Sequence, residues 1–127
     1  MSYKLGKTSK SRLSGVHPDL VSVVERAIEI TEQDFSVLEG LRSLEQQRIN
    51  VAKGVSKTMN SRHLTGHAVD LIPYPMPSGE WKRWWWDEIA HAMHKAAVEL
   101  GITIVSGHSD WGWDSPHFEL SWIGYPK

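Results

Sequence analysis

What most constrains the fold is how apolar periodicity switches along the chain. Residues 18–30 place Leu20, Val23, Val24, Ala27, Ile28 and Ile30 at helical spacing. Residues 87–100 repeat the pattern with Ile89, Ala90, Met93, Ala96, Ala97 and Leu100, and Gly101 stands where such a helix stops. Ser43 with Gln46 three residues later resembles a capping box, opening a third helix that should end by Gly54. Between these segments the runs 35–39, 68–72, 102–105 and 117–121 are short and β-like. Pro73 and Pro75 close the second run by denying it further ladder donors. Residues 55–62 and 106–115 read as loops and 77–79 as a turn. Helices first and strands interleaved later predict an α+β fold, with helices against one face of a small sheet.

At 127 residues the chain is expected to form one compact domain, residues 1–127, with a core that needs no staples. It has no cysteine, so disulfides and thiolate metal sites are excluded, and any metal must sit on His, Asp or Glu. With 14 basic and 15 acidic residues the net charge is −1, which disfavours a nucleic-acid groove. No apolar run approaches the roughly 20 residues that span a bilayer. The N-terminus has basic residues but no apolar block behind them, so a cytoplasmic product without a secretory signal is expected.

Two motifs carry chemistry. The first runs from Ser61 through His63, Gly66 and His67 to Asp70; the second holds Asp114, His117 and Glu119. Gly66 permits a sharp turn after His63, so that this imidazole and the Asp70 carboxylate can converge. On a strand, Asp70 shares a face with Ala68 and Ile72, and His117 shares one with Glu119. If the two strands are neighbours, His63, Asp70 and His117 can surround one ion. Three protein ligands with an open fourth position are the layout of a catalytic zinc, and Asp114 is then the candidate base. Blander readings stand beside each residue. His63 alone reads as a loop histidine, and Asp114 before Ser115 and Pro116 as a turn cap. Glu119 either orients a ligand or forms a structural ion pair. His63 and His67 are four apart, as ligands on one helix would be, but Gly66 argues against a helix there. His91 and His94 read as a solvated helix edge, and His17 and His108 have no evident partner. Four of the seven tryptophans crowd into residues 81–86, as packing or as a carbohydrate-stacking surface. His and Asp also accept divalent ions other than zinc.

The pattern Ser61, His63, Gly66, Ala68, Asp70 and then Asp114, His117 resembles the signature of the D-Ala-D-Ala metallopeptidase family. That family belongs with the lysostaphin-type enzymes and the hedgehog signalling domain. The likeness extends to Leu13, Gly15, Val16, Pro18 and Leu20, to Asp34, Phe35 and Val37, and to Glu39, Gly40, Arg42 and Ser43. It covers about residues 3–121, and is strongest toward the small phage endolysins that cut L-alanyl-D-glutamate bonds. The resemblance implies a hedgehog/DD-peptidase-like fold, a small central antiparallel sheet flanked by helices. It implies zinc on His63, Asp70 and His117, with Asp114 as catalytic carboxylate. Asp at that place is more like the phage enzymes than the carboxypeptidases, which often carry Glu. It also implies that Arg42 steadies substrate or oxyanion and that Ser61 lines the substrate site. The expected partner is a peptidoglycan stem peptide, met by a monomer that binds neither nucleic acid nor membrane. The protein would wait in the host cytoplasm for a membrane pore and act in the periplasm, on a thin wall since no wall-binding module is expected. The alternatives are a D-Ala-D-Ala carboxypeptidase or dipeptidase, and a non-catalytic zinc-containing binding module.

Overall fold

The computed structural model describes residues 2–56, 61–75 and 82–126. Four α-helices are present among them: α1 (Lys7–Arg12), α2 (Pro18–Ile30), α3 (Leu44–Ala52) and α4 (Arg83–Leu100). Four strands, β1 (Phe35–Glu39), β2 (Ala68–Pro73), β3 (Ile104–Ser106) and β4 (His117–Leu120), form one sheet in the order β1-β2-β4-β3. Every neighbouring pair is antiparallel. The α+β expectation and the antiparallel sheet both hold.

Alternation along the strands separates the sheet into two unlike faces. Val69, Leu71, Phe118 and Leu120 are fully buried and join the core. Against them pack the apolar stripes of α2 (Leu20, Val23, Val24, Ala27) and α4 (Ile89, Met93, Ala96). The opposite face carries Asp70, His117 and Glu119. The β2–β4 register sets Asp70 directly across from His117 and Ala68 across from Glu119.

Local chemistry explains most element ends. The Ser43 hydroxyl caps α3 by accepting from the Gln46 amide at 3.0 Å. The reciprocal half of the expected box is not made, because the Gln46 side chain donates to Asn50 instead. Gly101 ends α4 in the left-handed region, as expected. Helix α4 starts four residues earlier than its apolar stripe suggested, and β3 lies two residues later at its start. Helix α1 has no apolar periodicity to announce it. It docks through Ser9, whose hydroxyl accepts from the Val37 amide at 2.9 Å. Residues 107–111, expected as loop, instead make a π-helical turn. The turn expected at 77–79 lies outside the described residues, as does Trp81.

One irregularity re-aims a side chain toward the polar face. Between Val37 and Glu39 the β1–β2 register shifts, so that Val37 faces Leu71 while Glu39 faces Asp70. A bulge of this kind turns a strand residue to the other side of the sheet. Glu39 thereby joins the acidic and histidine-bearing face.

Candidate metal centre

His63 arrives on a short 3₁₀ turn, Arg62–Thr65, rather than on an α-helix or strand. The Ser61 hydroxyl caps that turn by accepting from the His63 amide at 3.2 Å. Gly66 ends it at φ +75°, and a Cβ there would lie 2.4 Å from the Gly15 carbonyl oxygen. Only glycine meets both demands. The reversal buries the His63 ring against the head of β2.

Two hydrogen bonds decide which imidazole atoms remain free. His63 Nδ1–H donates to the Gly40 carbonyl at 2.9 Å, leaving Nε2 toward Asp70 Oδ1 at 3.2 Å. His117 Nε2–H donates to Glu119 Oε1 at 2.8 Å, leaving Nδ1 3.4 Å from the same Asp70 oxygen. One ligand atom from each of His63, Asp70 and His117 therefore lies within 4.8 Å of the other two, a group that could hold a metal ion. These are the three residues anticipated from the sequence. His67 is elsewhere: its Nδ1 bonds the Thr65 hydroxyl at 2.7 Å and its ring lies beside His17. Gly40 and Glu119 do what outer partners of metal-bound histidines do, fixing tautomer and ring orientation.

The electrostatics suit a cation. Burial alone would raise the Asp70 carboxyl, but hydrogen bonds from His117 and His63 and their charge hold it well below the usual carboxylate range. Burial opposes charge on His117 as well, yet the hydrogen bonds and negative charge of Asp70 and Glu119 push it up to about 9. Without an ion, the centre keeps a proton in its place. Glu119 is backed by Arg62, whose Nε is 3.9 Å from its other oxygen. Arg62 is itself buried, donates to the Leu120 and Tyr125 carbonyls, and lies 3.9 Å over the Trp122 ring. This supporting chain of Arg62, Glu119 and His117 was only half visible in the sequence, where Glu119 drew notice and Arg62 did not.

The three residues sit in the wall of a cleft of about 670 Å³, which Arg42, Ser61, Trp111, Trp113 and Asp114 also line. Asp114 is half-buried; that burial, aided by the charge of Asp70, raises its carboxyl against the pull of His117, His63 and Arg42. Its loop is tied to the π turn by close backbone contact, since a Cβ on Gly107 would meet the Asp114 carbonyl oxygen at 2.0 Å. Arg42 enters the cleft already engaged. It pairs with both carboxylate oxygens of Glu39 and donates to Gln47 at 2.6 Å, with Ser61 Oγ at 3.5 Å. The bulge in β1 is what makes that pairing available.

Other histidines differ from expectation. His17 caps α2 by accepting from the Asp19 amide, and its ring meets Tyr125 edge-on. His108 bridges Asp87 Oδ1 at 2.7 Å and Ser115 Oγ at 2.9 Å, joining α4 to the Asp114 loop. The His17 cap is local to α2, but its ring contact with Tyr125 and the His108 bridge join separate elements and leave no sign in sequence spacing. Of the tryptophans near the start of α4, Trp86 is buried and Trp84 and Trp85 contact each other; none of these three lines the cleft. No described helix is long and apolar enough to cross a membrane.

Comparison with known proteins shows which family and fold the chain resembles. The L-alanyl-D-glutamate peptidase of Escherichia phage T5 is 36% identical over 117 residues, covering 87% of this chain and 83% of that enzyme. The L-alanyl-D-glutamate peptidase of Listeria phage A118 is 33% identical over 91 residues, which is 70% of this chain but only 31% of that longer enzyme. The crystal structure of the Serratia marcescens L-Ala D-Glu endopeptidase ChiX superposes with a TM-score of 0.87 at 43% identity, covering 95% of this chain and 92% of that one. The family model described as phage L-alanyl-D-glutamate peptidase matches residues 1–120, and the chain belongs to that family.

Proposed function

We propose that this chain is a zinc-dependent peptidoglycan endopeptidase that hydrolyses the L-Ala–D-Glu bond of stem peptides. The observation that carries this reading is the convergence of His63 Nε2, Asp70 and His117 Nδ1, with tautomers set by Gly40 and Glu119, in a cleft that also holds half-buried Asp114. Two imidazoles and one carboxylate are a donor set that zinc accepts, and three protein ligands leave room for water. Zinc held there supplies a Lewis acid for the scissile carbonyl and makes water acidic enough to lose a proton near neutral pH.

The chain's own groups do the rest. Asp114 takes the proton from the attacking water and returns it to the leaving nitrogen of D-Glu. Its raised carboxyl helps the uptake step, because a weaker acid is a stronger base toward the attacking water. Arg42, kept charged and oriented by Glu39, puts positive charge beside the developing oxyanion or a substrate carboxylate. Ser61 borders the substrate while its hydroxyl holds the His63 turn in place.

The whole chain works as one catalytic unit and as a monomer, and its substrate is the stem peptide of the wall. Kinship with phage enzymes supports a role in host lysis. The enzyme then waits in the host cytoplasm and reaches the wall through a membrane pore. Digestion of Gram-negative peptidoglycan with and without a chelator, followed by mass spectrometry, tests the reading. New N-terminal D-Glu, lost on chelation, is expected. Release of free D-Ala would reassign the bond to a carboxypeptidase, and intact wall would point to a binding module.

A further inference from the structure

A column of rings leads outward from the centre. Trp111 lies on the His117 imidazole, with centroids 5.1 Å apart and planes 19° from parallel. Trp113 lies on Trp111 at 5.4 Å and 14°. The first ring is buried, while Trp111 is 40% and Trp113 76% exposed, and both indoles line the cleft. Packing alone does not explain a tryptophan left this open, because most of its large apolar face gains nothing from the fold.

The column is also held in place before any ligand arrives. The Gly112 and Asp114 amides both donate to the Gly107 carbonyl, at 3.0 and 3.1 Å. Asp110 Oδ2 accepts from the Ser106 amide at 2.7 Å, and Ser106 Oγ accepts from the His108 and Ser109 amides. His108 then fastens the turn to Asp87 on α4. A surface ordered in advance pays little entropy when something docks on it.

We propose that Trp111 and Trp113 form a saccharide-stacking subsite that receives the muramyl sugar joined to the substrate's L-alanine. This rests on the L-Ala–D-Glu reading given above. In peptidoglycan the stem begins at L-Ala, which is amide-linked to the lactyl ether of the sugar. Cleavage after L-Ala therefore leaves only the alanyl and lactyl units between the scissile carbonyl and the pyranose. Each extended unit spans about 3.5 Å, so two reach about 7 Å. That reach takes the sugar past Trp111, whose ring is 5.1 Å from the His117 ring, and toward Trp113. The chemistry also sorts the occupants. An uncharged, flat indole face suits the C–H face of a pyranose, whereas Arg42 suits the carboxylate-bearing remainder of the stem.

The test compares a muramyl-linked stem peptide with the same peptide lacking the sugar, using zinc-loaded protein. Wild type should favour the sugar-bearing substrate about tenfold in kcat/KM, chiefly through KM. Trp113→Ala should bring that preference close to one, and Trp113→Phe should keep part of it. Equal use of both substrates by wild type, or a preference that survives Trp113→Ala, would overturn the proposal. A readout independent of hydrolysis is the indole N–H resonance of Trp113 on titration with the GlcNAc–MurNAc disaccharide. A saturating shift is expected, and no shift would overturn the subsite. If neither substrate is cut while the shift persists, the L-Ala–D-Glu reading fails and the sugar subsite stands.

Discussion

Val69 and Phe118 face each other across the same two strands as Asp70 and His117, one register step away. The first pair is fully buried in the core, while the second turns toward the cleft with the Asp70 side chain 19% exposed. A period of two lets adjacent residues serve opposite purposes. One face of the β2–β4 ladder holds the helices, and the other holds three polar groups at close quarters. The cost of gathering a carboxylate and two imidazoles is carried by neighbours one step further out. Gly40, Glu119 and Arg62 accept, orient and neutralise them. Stability and function are thus separable by face, and substitutions on each should report different quantities.

The largest effect on the polar face is expected from Asp70→Asn. Peptidoglycan hydrolysis should fall about 10³-fold or more, since several kcal/mol of ion-derived stabilisation is lost at 1.36 kcal/mol per decade. Zinc binding measured by calorimetry should fall with it, while far-ultraviolet circular dichroism stays unchanged. Asp114→Asn separates proton transfer from ion binding. Activity should drop about 10²–10⁴-fold with zinc affinity held within a few-fold. Parallel loss of zinc would show that Asp114 is a ligand or a structural group.

The core face should respond in the opposite sense. Phe118→Ala removes a fully buried ring and is expected to cost about 3–5 kcal/mol in chemical denaturation. The fraction still folded should bind zinc normally, and a loss of affinity in that fraction would break the separation of faces. Glu119→Gln is the finer probe of the support behind His117, and about 10–100-fold weaker zinc binding is expected. An unchanged affinity would leave Glu119 as a partner of Arg62 alone.

The remaining effect is a pH dependence, graded rather than all-or-none. His117, raised from 6.5 to about 9 in the ion-free protein, must lose its proton when an ion binds. Zinc affinity should therefore tighten by about tenfold per pH unit up to about 9. Stability of the chelated protein runs the other way. The proton's contribution is fully present below 6.5 and is lost as pH rises through about 9, so its melting temperature should fall across that window. Zinc-loaded protein should not show the fall. Calorimetry in buffers of different ionisation enthalpy and paired melts check both.

Much of this could be read from residue order. Alternation within 68–72 and 117–121 predicts which side chains share a face, and Gly66 marks the reversal that delivers His63. Ser43 marks the start of α3 because a hydroxyl at that point satisfies a free amide. Features that join distant elements left no such trace. The bulge at Val37–Glu39 depends on the partner strand, so the pairing of Glu39 with Arg42 is invisible in β1 alone. Arg62 looks like any loop arginine until the C-terminal carbonyls of Leu120 and Tyr125 close over it. Among the described residues, the tryptophans that reach the centre are Trp111 and Trp113, not Trp84, Trp85 or Trp86, because ring stacking follows tertiary placement rather than local abundance.

The most direct test is anomalous diffraction at the zinc edge from crystals grown with zinc. One peak bounded by His63 Nε2, Asp70 and His117 Nδ1, with Nε2 of His117 still on Glu119, is the expected result. A peak on other residues, or coordination through His117 Nε2 with Glu119 displaced, would contradict the centre described above.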